Sequence, residues 1–243
     1  MRASAFFVPV LFLILCVIIF LPRSFHTQAA NSEILPFTSL VKQPVLASSP
    51  IAPSVSVQPV FSGLGEFATT VLNNSPDEVV GIFVEDLFAL PVAQQPKDQP
   101  AFVFSEDNLV TQFSMPNQYG VIGLLAHNYL SGKLFFDLRP GDEVVVIYGD
   151  GHSELYHITH SEQFQALNPL SPFSEFIDFT NPSNKKLSSA ALFNHIYTTP
   201  NNLVFQTCID ANGDPSWGRL FVTAEKDDSI EIHLPSLTSI SNN

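Results

Sequence analysis

Cys208 is the only cysteine outside the N-terminal apolar stretch, and Arg219 follows it within the segment LVFQTCIDANGDPSWGRLFV, Leu203 to Val222. Leu203 to Thr207 reads as a short buried strand, Asp210 to Gly218 as a turn-rich loop, and Arg219 to Thr223 as a returning strand. Cysteine and arginine then face each other across a hairpin. The chemistry open to such a pair is nucleophilic. A thiol at a strand end is held by a rigid backbone, and a neighbouring guanidinium favours the thiolate form of a cysteine. His127 directly follows the apolar run Val121 to Ala126 and is likewise placed at a strand end, where an imidazole can give and take protons near neutral pH. The competing reading is structural, a buried cysteine beside a surface arginine, since free cysteine is among the most buried residue types.

The elements that must position these groups are mostly strands. Glu78 to Val84 and Ala101 to Phe104 read as strands separated by the loop QQPKDQP, and Val121 to Ala126 as another. After a Pro140-Gly141-Asp142 turn, a strand runs through Tyr148, and Gly149-Asp150-Gly151 turns it into a second strand, Leu155 to Thr159. Phe164 to Asn202 is long and proline-rich with one helix, Leu187 to Ile196, and Ile230 to Leu234 adds a last strand. Strands at short intervals without strand-helix alternation predict a mainly β domain, a closed or partly closed β-barrel with one or two short helices. No internal repeat is visible.

Composition narrows the function classes. The 243 residues carry 10 Lys and Arg against 23 Asp and Glu, a net charge of −13. A chain so poor in cations is not a nucleic-acid binder, because phosphate contacts need clustered Lys and Arg. A hydrophobic content of 45% is enough for a core, and 19 prolines with 22 phenylalanines fit a β-rich domain with many turns. Ala5 to Leu21 is an almost unbroken apolar run between Arg2 and Arg23, at the short limit for a spanning helix and the long limit for a signal-peptide core. It is read as an uncleaved single-pass anchor in the cell membrane, with secretion after signal cleavage as the alternative. Cys16, inside this run, is read as membrane-embedded. The resulting organisation is an anchor or signal over 1–23, a Pro- and Ser-rich tether over 24–75 with a short helix near Gly63 to Leu72, a catalytic barrel over 76–235, and a tail over 236–243.

Chain order discriminates among cysteine enzymes. A papain-like protease places its cysteine well before its histidine, and the caspase signature is missing. Leu125-Ala126-His127, Phe135-Phe136-Asp137-Leu138, Gly141-Asp142, the strand Leu155 to Ile158, Thr207-Cys208 and Arg219-Leu220-Phe221-Val222 together resemble the sortases, the membrane-anchored cysteine transpeptidases of bacterial envelopes. The resemblance covers about Glu78 to Ala224 and leaves the subclass unassigned. Ala126 stands where the family usually has Gly, and Phe205-Gln206 replaces the commoner small or aliphatic residues.

The resemblance implies that Cys208 attacks a backbone carbonyl of a Leu-Pro-x-Thr-like sorting signal to form a thioacyl-enzyme. It further implies that His127 protonates the leaving amine and deprotonates the incoming one, that Arg219 holds substrate or the oxyanion, and that Thr207 and Ala126 contribute to substrate binding. The partners implied are a sorted surface protein with a C-terminal signal, an amine acceptor such as a cell-wall precursor or protein subunit, and the cytoplasmic membrane. The outcome would be envelope attachment or subunit polymerisation. A cysteine endopeptidase, with water in place of the amine, and a non-catalytic binding module on the same fold are the alternatives. At ordinary values an uncoupled thiol and imidazole at pH 7 are ~3% thiolate and ~24% imidazolium, so under ~1% carries both charges.

No cofactor is implied. The resemblance leaves calcium open, through Glu175 and Asp178 on the long loop. His152, His157 and His160 share one hairpin, but His157 and His160 fall on opposite faces of a strand and read as solvated rather than as zinc ligands. Asp210 to Asp214 lacks the later bidentate Glu of an EF-hand and reads as a turn. Leu35-Pro36-Phe37-Thr38-Ser39 resembles a sorting signal without its hydrophobic tail and basic end, and is read as coincidental, with a pseudo-substrate as the sharper alternative.

Overall fold

A computed structural model describes residues 62–179, 185–230 and 232–234. Its strands are β1 (Val79–Val84), β2 (Phe88–Gln94), β3 (Val110–Phe113), β4 (Ile122–Leu125), β5 (Glu143–Tyr148), β6 (His152–Ala166), β7 (Glu175–Asp178), β8 (Lys186–Ser188), β9 (Asn202–Ala211), β10 (Asp214–Lys226) and β11 (Ile232–His233). The helices are α1 (Leu64–Val71) and α2 (Ser189–Tyr197). Strand order β10-β9-β4-β3-β2-β1-β5-β6, with β6 pairing back onto β10, closes a ring of eight strands. Closure depends on the 15-residue β6, whose first part pairs with β5, its middle and end with β10, and its last residues with β7. The anticipated mainly β barrel is the fold observed.

Alternation along the strands separates an inner and an outer core. Inward residues such as Ile82, Leu90, Val110, Leu124, Phe205 and Leu220 fill the barrel. Outward residues meet two separate covers. Leu125, Val204 and Phe221 pack beneath Leu192, Phe193 and Tyr197 of α2, whereas Val80, Phe83, Val145 and Ile147 pack beneath Leu64 and Ala68 of α1. All six residues of β1 are buried because that strand is covered on both faces. Helix α2 begins where the Ser188 hydroxyl accepts from the Ala191 amide at 3.2 Å. One end of the barrel is plugged by Phe135, Phe88 and Phe205, with ring centroids 5.0 to 6.5 Å apart. Complete burial of such a ring contributes about 1.5–3 kcal/mol.

Several local expectations are corrected. Ala101 to Phe104 is an irregular segment rather than a strand, and the unforeseen β2 and β3 take its place in the sheet. Pro91 hides β2, since proline cannot donate to a ladder. It is tolerated because Pro91 opposes Gly81 on β1 at a point before the β2–β3 pairing begins at Val92. Asp210 to Gly218 is largely strand: β9 and β10 run on to a two-residue turn at Asn212 (φ 56°) and Gly213 (φ 79°), with Ala211 paired to Asp214. Two consecutive left-handed residues define the type I′ hairpin that Asn-Gly favours. The segment Phe164 to Asn202 contains β7 and β8 besides the expected helix. The short helix expected near Gly63 to Leu72 is α1, and it lies against the barrel. Among the described residues no helix is long and apolar enough to cross a membrane, and the apolar run Ala5 to Leu21 and Leu35 to Ser39 lie outside them.

Candidate active site

Register brings the three singled-out residues into one row. Strand β4 pairs in parallel with β9, Leu125 beside Gln206, and carrying that register two residues further sets His127 beside Cys208. Strand β9 pairs antiparallel with β10, where Cys208 lies directly opposite Arg219. Paired residues point to the same side of a sheet, so all three side chains share the outer face with Leu125, Val204 and Phe221, at the margin of the area covered by α2. His127 and Arg219 are 6% and 4% exposed, and Cys208 is half-buried and free.

Each strand end is locked in place. The Thr207 hydroxyl donates to the Ala126 carbonyl at 2.9 Å, and the Ala126 amide donates to the Gln206 carbonyl at 3.3 Å. The His127 carbonyl accepts from the amides of Leu130 and Gly132, which starts the 3-10 turn Ser131–Phe136 that delivers Phe135 to the barrel plug. Gly132 is required by proximity: a Cβ there would lie 2.3 Å from the Thr207 hydroxyl and 2.7 Å from the carbonyl oxygens of Ala126 and His127. Thr207 and Ala126, expected at the substrate, have side chains turned into the interior, 2% and 8% exposed. They hold the strand ends together. The Asn128 amide donates to the Pro215 carbonyl at 3.0 Å, tying the histidine loop to the hairpin that carries Cys208 and Arg219.

Electrostatics differ along the row. Burial pushes the His127 imidazole below its usual range, and a hydrogen bond to the Val103 backbone opposes this more weakly. The imidazole is therefore predominantly neutral at pH 7. Its ring stacks on Tyr129 at 5.1 Å and 18°, and Nε2 lies 3.3 Å from the Ser105 hydroxyl. Arg219 is a buried cation that, among the described residues, has no carboxylate within ion-pair distance. One guanidinium nitrogen, Nη1, donates to the Ser216 and Gly218 carbonyls, each at 2.8 Å. Those carbonyls belong to a bulge in which β10 passes from Asp214 to Gly218 while β9 passes only from Ala211 to Ile209. Trp217, in this bulge, stacks on Phe179 at 4.7 Å. A buried guanidinium satisfied by neutral carbonyls retains its full charge for an arriving anion.

Sequence reading missed Ser105, Tyr129, Asn128 and Gly132. The only sequence signal for them is nearness to His127 in the chain, and Ser105 lacks even that. The other histidines whose side chains are described stay apart from the row: His152 pairs with Asp150, His157 with Asp227, and His160 and His195 with Glu162. Glu175 pairs with Lys186 at 3.8 Å and is three residues from Asp178 on β7, so the two carboxylates point to opposite faces and do not fit a shared calcium. Among the described residues no group of three or more His, Cys, Asp or Glu is placed to hold a metal.

No family model matches the sequence, and no curated protein matches it. Solved structures do. The chain is similar to sortase A from Listeria monocytogenes at 12% identity, covering 64% of this chain and 92% of that one with a TM-score of 0.40. It is similar to sortase C-1 from Actinomyces oris at 17% identity, covering 74% and 89% with a TM-score of 0.41. For sortase E1 from Streptomyces coelicolor the identity is 18%, the coverage 65% and 94%, and the TM-score 0.36. These likenesses are ones of fold alone.

Proposed function

We propose that this chain is a sortase-type cysteine transpeptidase. The observation that carries the reading is the row His127, Cys208 and Arg219, set side by side by the register of β4, β9 and β10. Cys208 attacks the carbonyl at the cleavage point of a Leu-Pro-x-Thr-like signal in a sorted surface protein. The proton of the thiol passes to His127 and on to the departing amine, leaving a thioester on Cys208. An acceptor amine, from a cell-wall precursor or a protein subunit, then gives a proton to His127 as it attacks the thioester and releases the thiol. Arg219 stabilises the oxyanion of both tetrahedral intermediates, a role supported by its burial without a carboxylate partner among the described residues. The neutral state of His127 supports its service as the base that activates the thiol.

In the organisation proposed with this activity, residues 1–23 anchor the chain in the cytoplasmic membrane and 24–75 form the tether, the part of it in α1 lying against the barrel. The barrel, 76–235, then works outside the membrane, ahead of a tail over 236–243. The test incubates the full-length chain, in mild detergent, with Leu-Pro-x-Thr peptides and triglycine or diaminopimelate, with products read by mass spectrometry. Amine-ligated peptide that disappears in Cys208→Ala is the expected result. Hydrolysis without ligation would replace the reading by a cysteine endopeptidase. Absence of any product, with Cys208 inert to thiol probes, would replace it by a binding module.

A further inference from the structure

In this acidic chain the exposed histidines acquire carboxylate neighbours: His152, His157, His160 and His195 all have an Asp or Glu oxygen within 4.0 Å. Among the described residues His127 has none. Its side-chain neighbours are instead a hydroxyl and a ring, Ser105 at 3.3 Å and Tyr129 in a stacked arrangement. The Val103 backbone carbonyl accepts a further hydrogen bond from the ring, and Cys208 and then Arg219 follow along the row.

The segment that carries Ser105 is built to be held still. It joins β2 to β3 and is irregular throughout, yet side chains fix it at four places. The buried Gln95 amide donates to the Pro100 carbonyl at 3.0 Å and to the Phe102 carbonyl at 2.8 Å. The Thr111 hydroxyl accepts from the Phe104 amide at 2.9 Å, and the Ser131 hydroxyl accepts from the Leu109 amide at 3.1 Å. The oxygen of the Gln95 amide is itself fixed by the Ser114 amide and hydroxyl, at 3.2 and 2.9 Å. Phe102 and Phe104 pack edge to face at 4.8 Å. Phe104, the residue immediately before Ser105, is thus restrained at both its backbone and its ring.

We propose that Ser105 is a positioning residue for His127, its hydroxyl taking the place that a carboxylate orienter occupies beside other catalytic histidines. The inference rests on the reading of His127 as the proton-transfer group. A carboxylate only accepts, and so favours imidazolium. A hydroxyl donates to the lone pair of neutral imidazole and, after rotating, accepts from imidazolium. Ser105 therefore serves both proton states through which His127 passes, without biasing it toward the charged one.

The test follows the His127 ring of the full-length chain by 15N side-chain NMR, assigned with His127→Gln, in the unaltered chain, Ser105→Ala and Ser105→Thr. The expected result is one dominant neutral tautomer in the unaltered chain and in Ser105→Thr, and a mixture with a displaced titration midpoint in Ser105→Ala. Peptide transfer should lose about fivefold in kcat in Ser105→Ala at nearly constant KM, and recover in Ser105→Thr. Unchanged tautomer, midpoint and kcat in Ser105→Ala would overturn the proposal, as would a Ser105→Thr variant as impaired as the alanine one. The NMR readout needs no turnover, so a chain that failed to transfer peptide would sink the functional reading while Ser105 was still judged on the ring.

Discussion

Gly132→Ala is the substitution in which fold and site are most tightly joined. A methyl at this position would meet the Thr207 hydroxyl at 2.3 Å and the Ala126 and His127 carbonyl oxygens at 2.7 Å. The hydroxyl could rotate away, at the loss of its 2.9 Å bond to the Ala126 carbonyl. The two carbonyls cannot, because Ala126 and His127 are fixed by the pairing of β4 with β9 and by the bonds from Leu130 and Gly132. Overpacking against backbone costs about 1–3 kcal/mol, and the lost hydrogen bond about 1 kcal/mol more. Alanine's better helical propensity returns about 0.5–1 kcal/mol. The net destabilisation is about 1–3.5 kcal/mol, and any relaxation pushes the strand end bearing His127 away from the one bearing Cys208. Denaturant unfolding of the full-length chain, followed by the fluorescence of Trp217, gives the first quantity. Peptide transfer under conditions where the variant is fully folded gives the second, with a loss of more than tenfold expected. A Gly132→Ala variant that equals the unaltered chain in both would refute the account of how the row is held.

Other outcomes follow from the same geometry. Arg219→Lys retains charge but cannot keep two carbonyl bonds on one nitrogen while presenting another to an oxyanion, so kcat/KM should fall by about 100-fold with little change in unfolding midpoint. A fall of less than threefold would remove Arg219 from the proposed mechanism. Burial lowers the His127 value from its ordinary 6.5, so the acid limb of the transfer rate should lie below pH 6.5, and a limb at or above it would contradict the burial argument. The same shift affects folding: the unfolded chain binds this proton at higher pH than the folded one. Stability contributed by His127 is fully present above pH 6.5 and lost as pH falls toward the folded value. That increment of pH dependence should vanish in His127→Gln. Tyr197→Phe removes the 2.6 Å bond to the buried Gln206 amide oxygen and should cost about 1–3 kcal/mol in denaturant unfolding, whereas an isosteric neutral result would mean that Gln206 finds another donor. Gly213→Ala places a Cβ at φ 79° in the hairpin turn and should cost about 1 kcal/mol by the same measurement.

What was legible in the sequence was whatever depends on short-range pattern. The strand before His127, the Gly149 to Gly151 turn and the helix after Leu187 are all encoded by neighbours a few residues apart, and they stand close to where they were expected. The opposition of Cys208 and Arg219 was legible for the same reason, since a hairpin has only one return strand. Two kinds of feature were not. Strand β2 carries Pro91, and its compatibility with the sheet depends on which neighbour pairs at that residue. The parallel contact of β4 with β9 and the approach of Ser105 to His127 join residues that no local rule relates. Thr207 and Ala126 illustrate a third limit. Adjacency to Cys208 and His127 suggested contact with substrate, but alternation along a strand sends neighbouring side chains to the opposite side, where those of Thr207 and Ala126 are buried.

The parallel seam between β4 and β9 makes the proposed chemistry a property of the closed barrel alone. Before that seam forms, Cys208 and Arg219 can meet through their hairpin, but the histidine belongs to a separate part of the chain. A slip of one residue along β9 would turn the thiol inward among the aromatic plug. In the proposed mechanism the three groups therefore meet only where the β4–β9 and β9–β10 pairings are both made. By the same mechanism, a chain in which that seam has not formed holds its thiol apart from the imidazole that would take the proton.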